Sequence, residues 1–110
     1  MIDKKIVKEL FEKVSHRVLE NTKIFFDEFP DAQSQNYIYS NKTGPGHWVE
    51  GFWTGMELLC YEFSKDQSFL SPVQAQIEKF RERTEKQIGV EHHDMGFLYS
   101  LSCVAKYKID

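Results

Sequence analysis

The sequence predicts an all-α chain whose four helices form two α/α hairpins. Three observations carry this. Apolar residues recur at three- and four-residue spacing through most of the chain. No stretch sustains the strict alternation of a half-buried strand. Amphipathic helices alternate with helices that are apolar over most of their circumference, and that outside–inside–outside–inside rhythm is the pattern of stacked α/α hairpins.

The first helix is expected from Asp3 to about Phe29, with Val7, Leu10, Phe11, Val14, Val18, Phe25, Phe26 and Phe29 along its apolar stripe. Asp3 can accept from the open N–H groups of the first turn, and Pro30 is expected to end the helix. Residues 31–47 hold Pro, Gly, Ser and Asn and read as a loop. Tyr37-Ile38-Tyr39 allows a short extended piece before the Gly44-Pro45-Gly46 turn. The second helix runs from about Val49 to Ser64, with Phe52, Trp53, Met56, Leu59, Cys60 and Phe63 on one stripe that Leu58 and Tyr61 widen. Its Gly51 and Gly55 would let a neighbouring backbone approach closely. The third, over roughly 67–87, carries the narrow stripe Val73, Ile77, Phe80 and Thr84 among many charges. After Gly89 and Glu91-His92-His93-Asp94, a fourth helix to about Lys108 is again apolar almost all round. A faint repeat joins the two hairpins, since His47, Gly51 and Phe52 recur as His92, Gly96 and Phe97. The fourth helix reaches Asp110 without a Gly or Asn stop signal. Two hairpins bury little core, and repeat arrays usually need three or more units, so the chain is expected to be part of something longer.

Composition narrows the function classes. Hydrophobic residues make up 41% and include nine Phe, five Tyr and two Trp, which is a globular composition and excludes disorder. A net charge of −3 with interspersed signs provides no basic patch for nucleic acid. Cys60 and Cys103 sit inside apolar runs and read as small buried hydrophobes rather than a disulfide. The charged N-terminus resembles neither a signal peptide nor a membrane span, so a cytoplasmic protein is expected.

The residues with chemical potential cluster at the starts of the second and fourth helices. His92 and His93 are adjacent and so point in different directions, which disfavours joint ligation. The i,i+4 spacing of helical metal sites is absent, and nothing in the spacing brings His16 or His47 to them. No metal is expected. Asp94 can be read as a helix cap, worth about 0.5–2 kcal/mol, or as a carboxylate held rigidly at the rim of a cavity. Trp48 can be a core or staple residue, or an aromatic plate for a sugar; an aromatic face beside an acid is the usual make-up of a sugar site. If the hairpins stack, the two helix mouths are neighbours on one rim.

The stretch HWVEGFWTGMELLCYEFSKD, residues 47–66, with HHDMGFLYSLSCVAKYKID, residues 92–110, resembles the N-terminal part of unsaturated glucuronyl hydrolases, glycoside hydrolase family 88. The preceding FPDAQSQNYIY fits the same place. The resemblance implies an (α/α)6 barrel of twelve helices in a single glycoside hydrolase domain, of which residues 1–110 would supply the first four. It implies removal of the 4,5-unsaturated uronic acid at the non-reducing end of lyase-generated oligosaccharides, by hydrating the double bond, with no metal or organic cofactor. Asp94 matches the catalytic aspartate of the HHDxGF motif, His93 lies beside the bound sugar, and Trp48 matches the tryptophan that stacks on it. The family's proton-donor aspartate and its carboxylate-recognition residues would follow in later hairpins.

A truncated or split glucuronyl hydrolase, inactive alone and prone to self-association through its exposed apolar helices, is therefore the leading expectation. Its substrate in complete form would be an unsaturated uronic-acid oligosaccharide of glycosaminoglycan type, with no nucleic-acid or membrane partner. An unsaturated rhamnogalacturonyl hydrolase relative is the alternative within the enzyme class. A small helical interaction or carbohydrate-binding module without catalysis is the alternative outside it.

Overall fold

The computed structural model describes residues 2–40, 48–88, 90–91 and 94–109. Among them every regular element is helical: α1 (Lys4–Phe25), α2 (Glu50–Ser64), α3 (Leu70–Lys86) and α4, residues 95–109. The last is α-helical over Met95–Tyr99, widens to a π-turn over Ser100–Val104 and returns to α over Ala105–Ile109. Ser102 lies in the widened turn and donates from its Oγ to the Leu98 carbonyl one turn back, at 2.6 Å.

Side-chain pairs set the helix directions. Phe11 meets Phe63, Thr22 meets Glu57 and Phe25 meets Trp53, so α1 and α2 are antiparallel. Glu50 pairs with Arg83 and Thr54 with Gln76, making α2 and α3 antiparallel. Tyr99 reaches both Thr84 and Phe80, so α4 turns back along α3. The two hairpins are those expected from the sequence. Helices α2 and α4 run parallel, since Gly51 meets Leu98 and, one turn on, Gly55 meets Leu101, and these glycines record how closely. A Cβ on Gly51 would lie 2.3 Å from the Leu98 carbonyl oxygen, and one on Gly55 would lie 3.0 Å from that of Leu101. Helix α2 is the hub, packed against α1, α3 and α4. The shared core holds Val18, Phe25, Phe29, Trp53, Cys60, Phe69, Phe80 and Leu98.

Boundaries follow local chemistry. The Asp3 carboxylate accepts from the Lys5 N–H at 2.8 Å, as a cap should. Asp66 does the same for Ser68 at 2.9 Å, opening a 3-10 turn (Gln67–Phe69) that leads into α3. Pro72 sits in the first turn of α3, where its missing N–H costs nothing. The expected end of α1 near Phe29 is corrected to Phe25. Phe26 breaks the helix with φ of 50°, and two tertiary contacts exploit the break. The Phe26 carbonyl accepts from Gln76 Nε2 at 2.8 Å, and Phe29 packs against the Phe80 ring at 5.2 Å. An uninterrupted helix would carry Phe29 past that core position. In the following loop the expected extended piece is only the isolated bridge Gln35–Ile38, closed around Asn36 and Tyr37 with positive φ. The Gly44-Pro45-Gly46 turn lies outside the described residues.

The inner character expected of α2 and α4 is only half satisfied within the chain. Phe52 is 40% exposed, Met56 44% and Val104 47%, which leaves apolar surface of both helices without a neighbour. The N-terminal half of α1 is similar, with Val7, Leu10 and Val14 all exposed. Both cysteines are free, Cys60 buried and Cys103 half-buried.

Candidate functional site

The parallel packing of α2 on α4 brings their N-termini together. Trp48 stands two residues before α2, and Asp94 occupies the position just before α4. Their proximity is recorded by aromatic rings. Trp48 lies 5.5 Å from Phe52 and 5.4 Å from Phe97, and Phe52 stacks on Phe97 at 5.9 Å. Phe97 is in the first turn of α4, and its N–H donates to the Asp94 carbonyl at 3.1 Å. The tryptophan and the aspartate therefore share one end of the helix stack, as the repeat required.

The three rings form an exposed aromatic platform. Trp48 is 37% exposed, so it is not a core residue, though its contact with Phe52 in the first turn of α2 fits the staple that the sequence also allowed, whereas Trp53 is buried as expected. An apolar face open to solvent beside a half-buried carboxylate suits a ring with one apolar side and several hydroxyls. The Asp94 side chain makes no capping hydrogen bond to the first turn of α4. His93 and His92 lie outside the described residues, as does His47. His16 is on the exposed face of α1, paired with Glu20 at 3.1 Å. Among the described residues no group of three or more His, Cys, Asp and Glu side chains is placed to hold a metal.

From Trp48 a cleft of about 520 Å³ extends between α1 and α2, bordered by Phe52, Met56, Val14, Arg17, Asn21 and Tyr39. Asp94 is not on its wall. The platform thus has the carboxylate beside Phe97 and a mostly apolar cleft beside Trp48.

The sequence reading missed two buried polar assemblies, one at the mouth and one deeper, at the middle of α2. In the first, Arg83 Nη1 meets Glu50 Oε2 at 2.5 Å, with the two side chains 8% and 4% exposed. In the second, Glu57 is wholly buried between α1, α2 and α3. Its carboxyl accepts from Thr22 Oγ1 at 3.0 Å and from Gln76 Nε2 at 2.8 Å. Gln76 Oε1 accepts in turn from Thr54 at 2.7 Å. Burial pushes the Glu57 pKa up from 4.5 to about 7, against the opposing pull of the Gln76 and Thr22 hydrogen bonds. Part of the signal was legible, because Glu50, Glu57 and Glu62 are carboxylates in a largely apolar helix expected to lie inside, and the first two are buried.

No protein-family model matches the chain. Individual relatives do. The chain is 33% identical over all its 110 residues to an unsaturated chondroitin disaccharide hydrolase of Streptococcus pneumoniae, spanning 28% of that protein. It is 37% identical over 92 residues to an unsaturated glucuronyl hydrolase of Bacillus sp. strain GL1, covering 82% of this chain and 24% of the relative. In structure, the whole chain superposes on 28% of the unsaturated glucuronyl hydrolase of Streptococcus agalactiae, with a TM-score of 0.88 at 32% identity. The chain thus spans about a quarter of the length of the relatives it matches.

Proposed function

Since the chain is homologous over its whole length to part of the unsaturated glucuronyl hydrolases, a helical-barrel group of glycoside hydrolases, we propose that it supplies one side of a site for an unsaturated uronide. The sugar's apolar face lies on Trp48, and Asp94 is the aspartate presented to the reacting double bond. His93 stands beside the same sugar. The observation that carries this reading is the convergence of the two helix mouths. Trp48 and the first turn of α4 meet through the Phe97 ring at 5.4 Å, so the stacking plate and the carboxylate are built on adjacent, rigidly packed helices.

The reaction is hydration of the 4,5 double bond of the terminal uronic acid, which leaves a hemiketal that opens and releases the remaining sugar. A proton must reach one carbon while water is held at the next. One carboxylate on an open rim does neither alone, since its pKa and its geometry both need an enclosing wall. The chain by itself is therefore inactive, and its activity requires the other helices of a barrel. Support for that dependence comes from the repeat. Gly51 receives the α4 backbone, while its counterpart Gly96 has nothing within 4 Å among the described residues. An inner helix packed on α4 as α4 packs on α2 would fill that space. The relatives named for unsaturated chondroitin disaccharides make a glycosaminoglycan fragment the favoured substrate class.

The test is a chimera in which these 110 residues replace the matching quarter of the Streptococcus agalactiae enzyme. Loss of the unsaturated sugar's ultraviolet absorbance reports turnover. The chain alone is expected to show none, the chimera to be active, and Asp94→Asn to abolish that activity. The effect expected of losing a positioned acid–base group is ~10²–10⁴-fold or more. A folded chimera that retains full activity with Asp94→Asn would remove Asp94 from the mechanism. Turnover by the isolated chain would overturn the dependence on further helices.

A further inference from the structure

We propose that Arg83 is a positioning residue that ties the Trp48 side of the mouth to the Asp94 side, a role that rests on the reading of this mouth as the site. Arg83 lies in the last turn of α3, on the opposite end of that helix from its 3-10 entrance. Its guanidinium reaches two segments at once. Nη1 is held by Glu50 at 2.5 Å, and Glu50 is the first residue of α2, two places after Trp48. Nε donates to the Ile88 carbonyl at 3.3 Å, and Ile88 begins the segment that arrives at Asp94 six residues later.

Ile88 is gripped twice by the same residue. Its N–H donates to the Arg83 main-chain carbonyl at 2.9 Å, closing the end of α3 around Gln87 in the left-handed region, with φ of 54°. The Arg83 side chain then takes the Ile88 carbonyl. The planar, forked guanidinium allows this, because its donors point in fixed and separate directions. A lysine ammonium has no such fork. Burial makes the arrangement directional as well as attractive, since little water competes for either partner and a buried charge left unpaired is unfavourable.

A residue that merely stabilised the fold would need only the ion pair. The additional bond to Ile88 joins the start of α2 to the chain as it leaves α3 towards Asp94, and this link predicts a local effect on the Trp48 ring. The experiment uses the 110-residue chain labelled with 5-fluorotryptophan, whose two fluorine resonances belong to Trp48 and Trp53 and are assigned with Trp48→Phe. The variants are Arg83→Lys, which keeps the charge, and the double variant Glu50→Gln with Arg83→Met, which leaves no buried ion behind. In both, the Trp48 resonance is expected to move or broaden by more than its linewidth, while that of Trp53, in the core, stays in place. Circular dichroism confirms that helix content is kept. Movement of both resonances together, or of neither, overturns the positioning role. The measurement reads ring environment and not turnover, so it stands or falls separately from the glycosidase reading.

Discussion

Gly51 and Gly96 occupy the same place in two copies of one motif, yet alanine should have opposite effects at the two positions. At Gly51 a new methyl would lie 2.3 Å from the Leu98 carbonyl oxygen, 2.7 Å from that of Phe97 and 2.8 Å from the Leu98 carbonyl carbon. Ordinary contact lies at 3.4–4 Å, so the overlap with the nearest oxygen is about 1 Å. All three atoms are main chain and cannot rotate away as a side chain would, so α4 must slide or tilt off α2. Alanine gains about 1 kcal/mol of helix propensity over glycine. Forced overpacking costs about 1–3 kcal/mol or more in comparable cores, and here it also separates the Trp48, Phe52 and Phe97 rings. An overlap this large with main-chain atoms puts the cost at the upper end of that range, so we expect Gly51→Ala to destabilise the chain by about 2 kcal/mol net, or about 4 °C in melting temperature for each kcal/mol. At Gly96 nothing lies within 4 Å among the described residues, so the propensity gain stands unopposed. Gly96→Ala should then stabilise by about 0.5–1 kcal/mol. Urea unfolding followed by circular dichroism measures both, each against the wild-type chain. A neutral or stabilised Gly51→Ala, or a destabilised Gly96→Ala, would refute the packing argument. In the chimera, where a further inner helix meets α4, Gly96→Ala should lose its advantage.

The buried Glu57 predicts a pH dependence. Between about pH 4.5 and 7 the folded chain keeps a proton that the unfolded chain has released. Stability from this group is thus full below about 4.5 and declines as pH rises to about 7, by at most roughly 3 kcal/mol. Asp66 and Glu82, whose carboxyls are lowered by Ser68 and Lys86, act in the opposite sense, but both are exposed and screened. The difference between wild type and Glu57→Gln isolates the buried group, and parallel stability profiles across that range would rule its titration out. The uncovered surface at Phe52, Met56, Leu59 and Val104 predicts self-association of the isolated chain. Light scattering coupled to size exclusion should show mass above that of one chain at micromolar concentration; a strict monomer at all concentrations would contradict it.

Much of the architecture was written in local patterns. The helix-period spacing placed α2 within one residue at its start, Asp3 marked the start of α1, and Gly51 and Gly55 marked where another backbone comes close. The end of α1 was not legible. Phe26 and Phe29 continue the apolar spacing, and only the Gln76 hydrogen bond and the Phe80 ring give the chain a reason to turn at Phe26. The candidate site left an uneven trace in the sequence. Trp48 and the HHDMGF motif stood out in sequence, whereas Arg83 looked like one more charge on a charged helix.

Spacing along the chain determines which face of a helix is apolar and where a helix can start, because those follow from the 3.6-residue period and from unpaired N–H groups within a few residues. It therefore determined the four helices, their alternation and the presence of an aromatic residue and an aspartate at two equivalent mouths. Which mouth faces which depends on contacts between residues dozens of positions apart. Gly51 against Leu98 makes α2 and α4 parallel neighbours, and Glu50 against Arg83 fixes α2 to the end of α3. The same holds for Glu57, a surface-type residue by composition, which is wholly buried because Thr22, from α1, and Gln76, from α3, satisfy its oxygens together. Only the tertiary structure brings those three helices to one point, since a buried carboxyl is tolerable only where its partners converge.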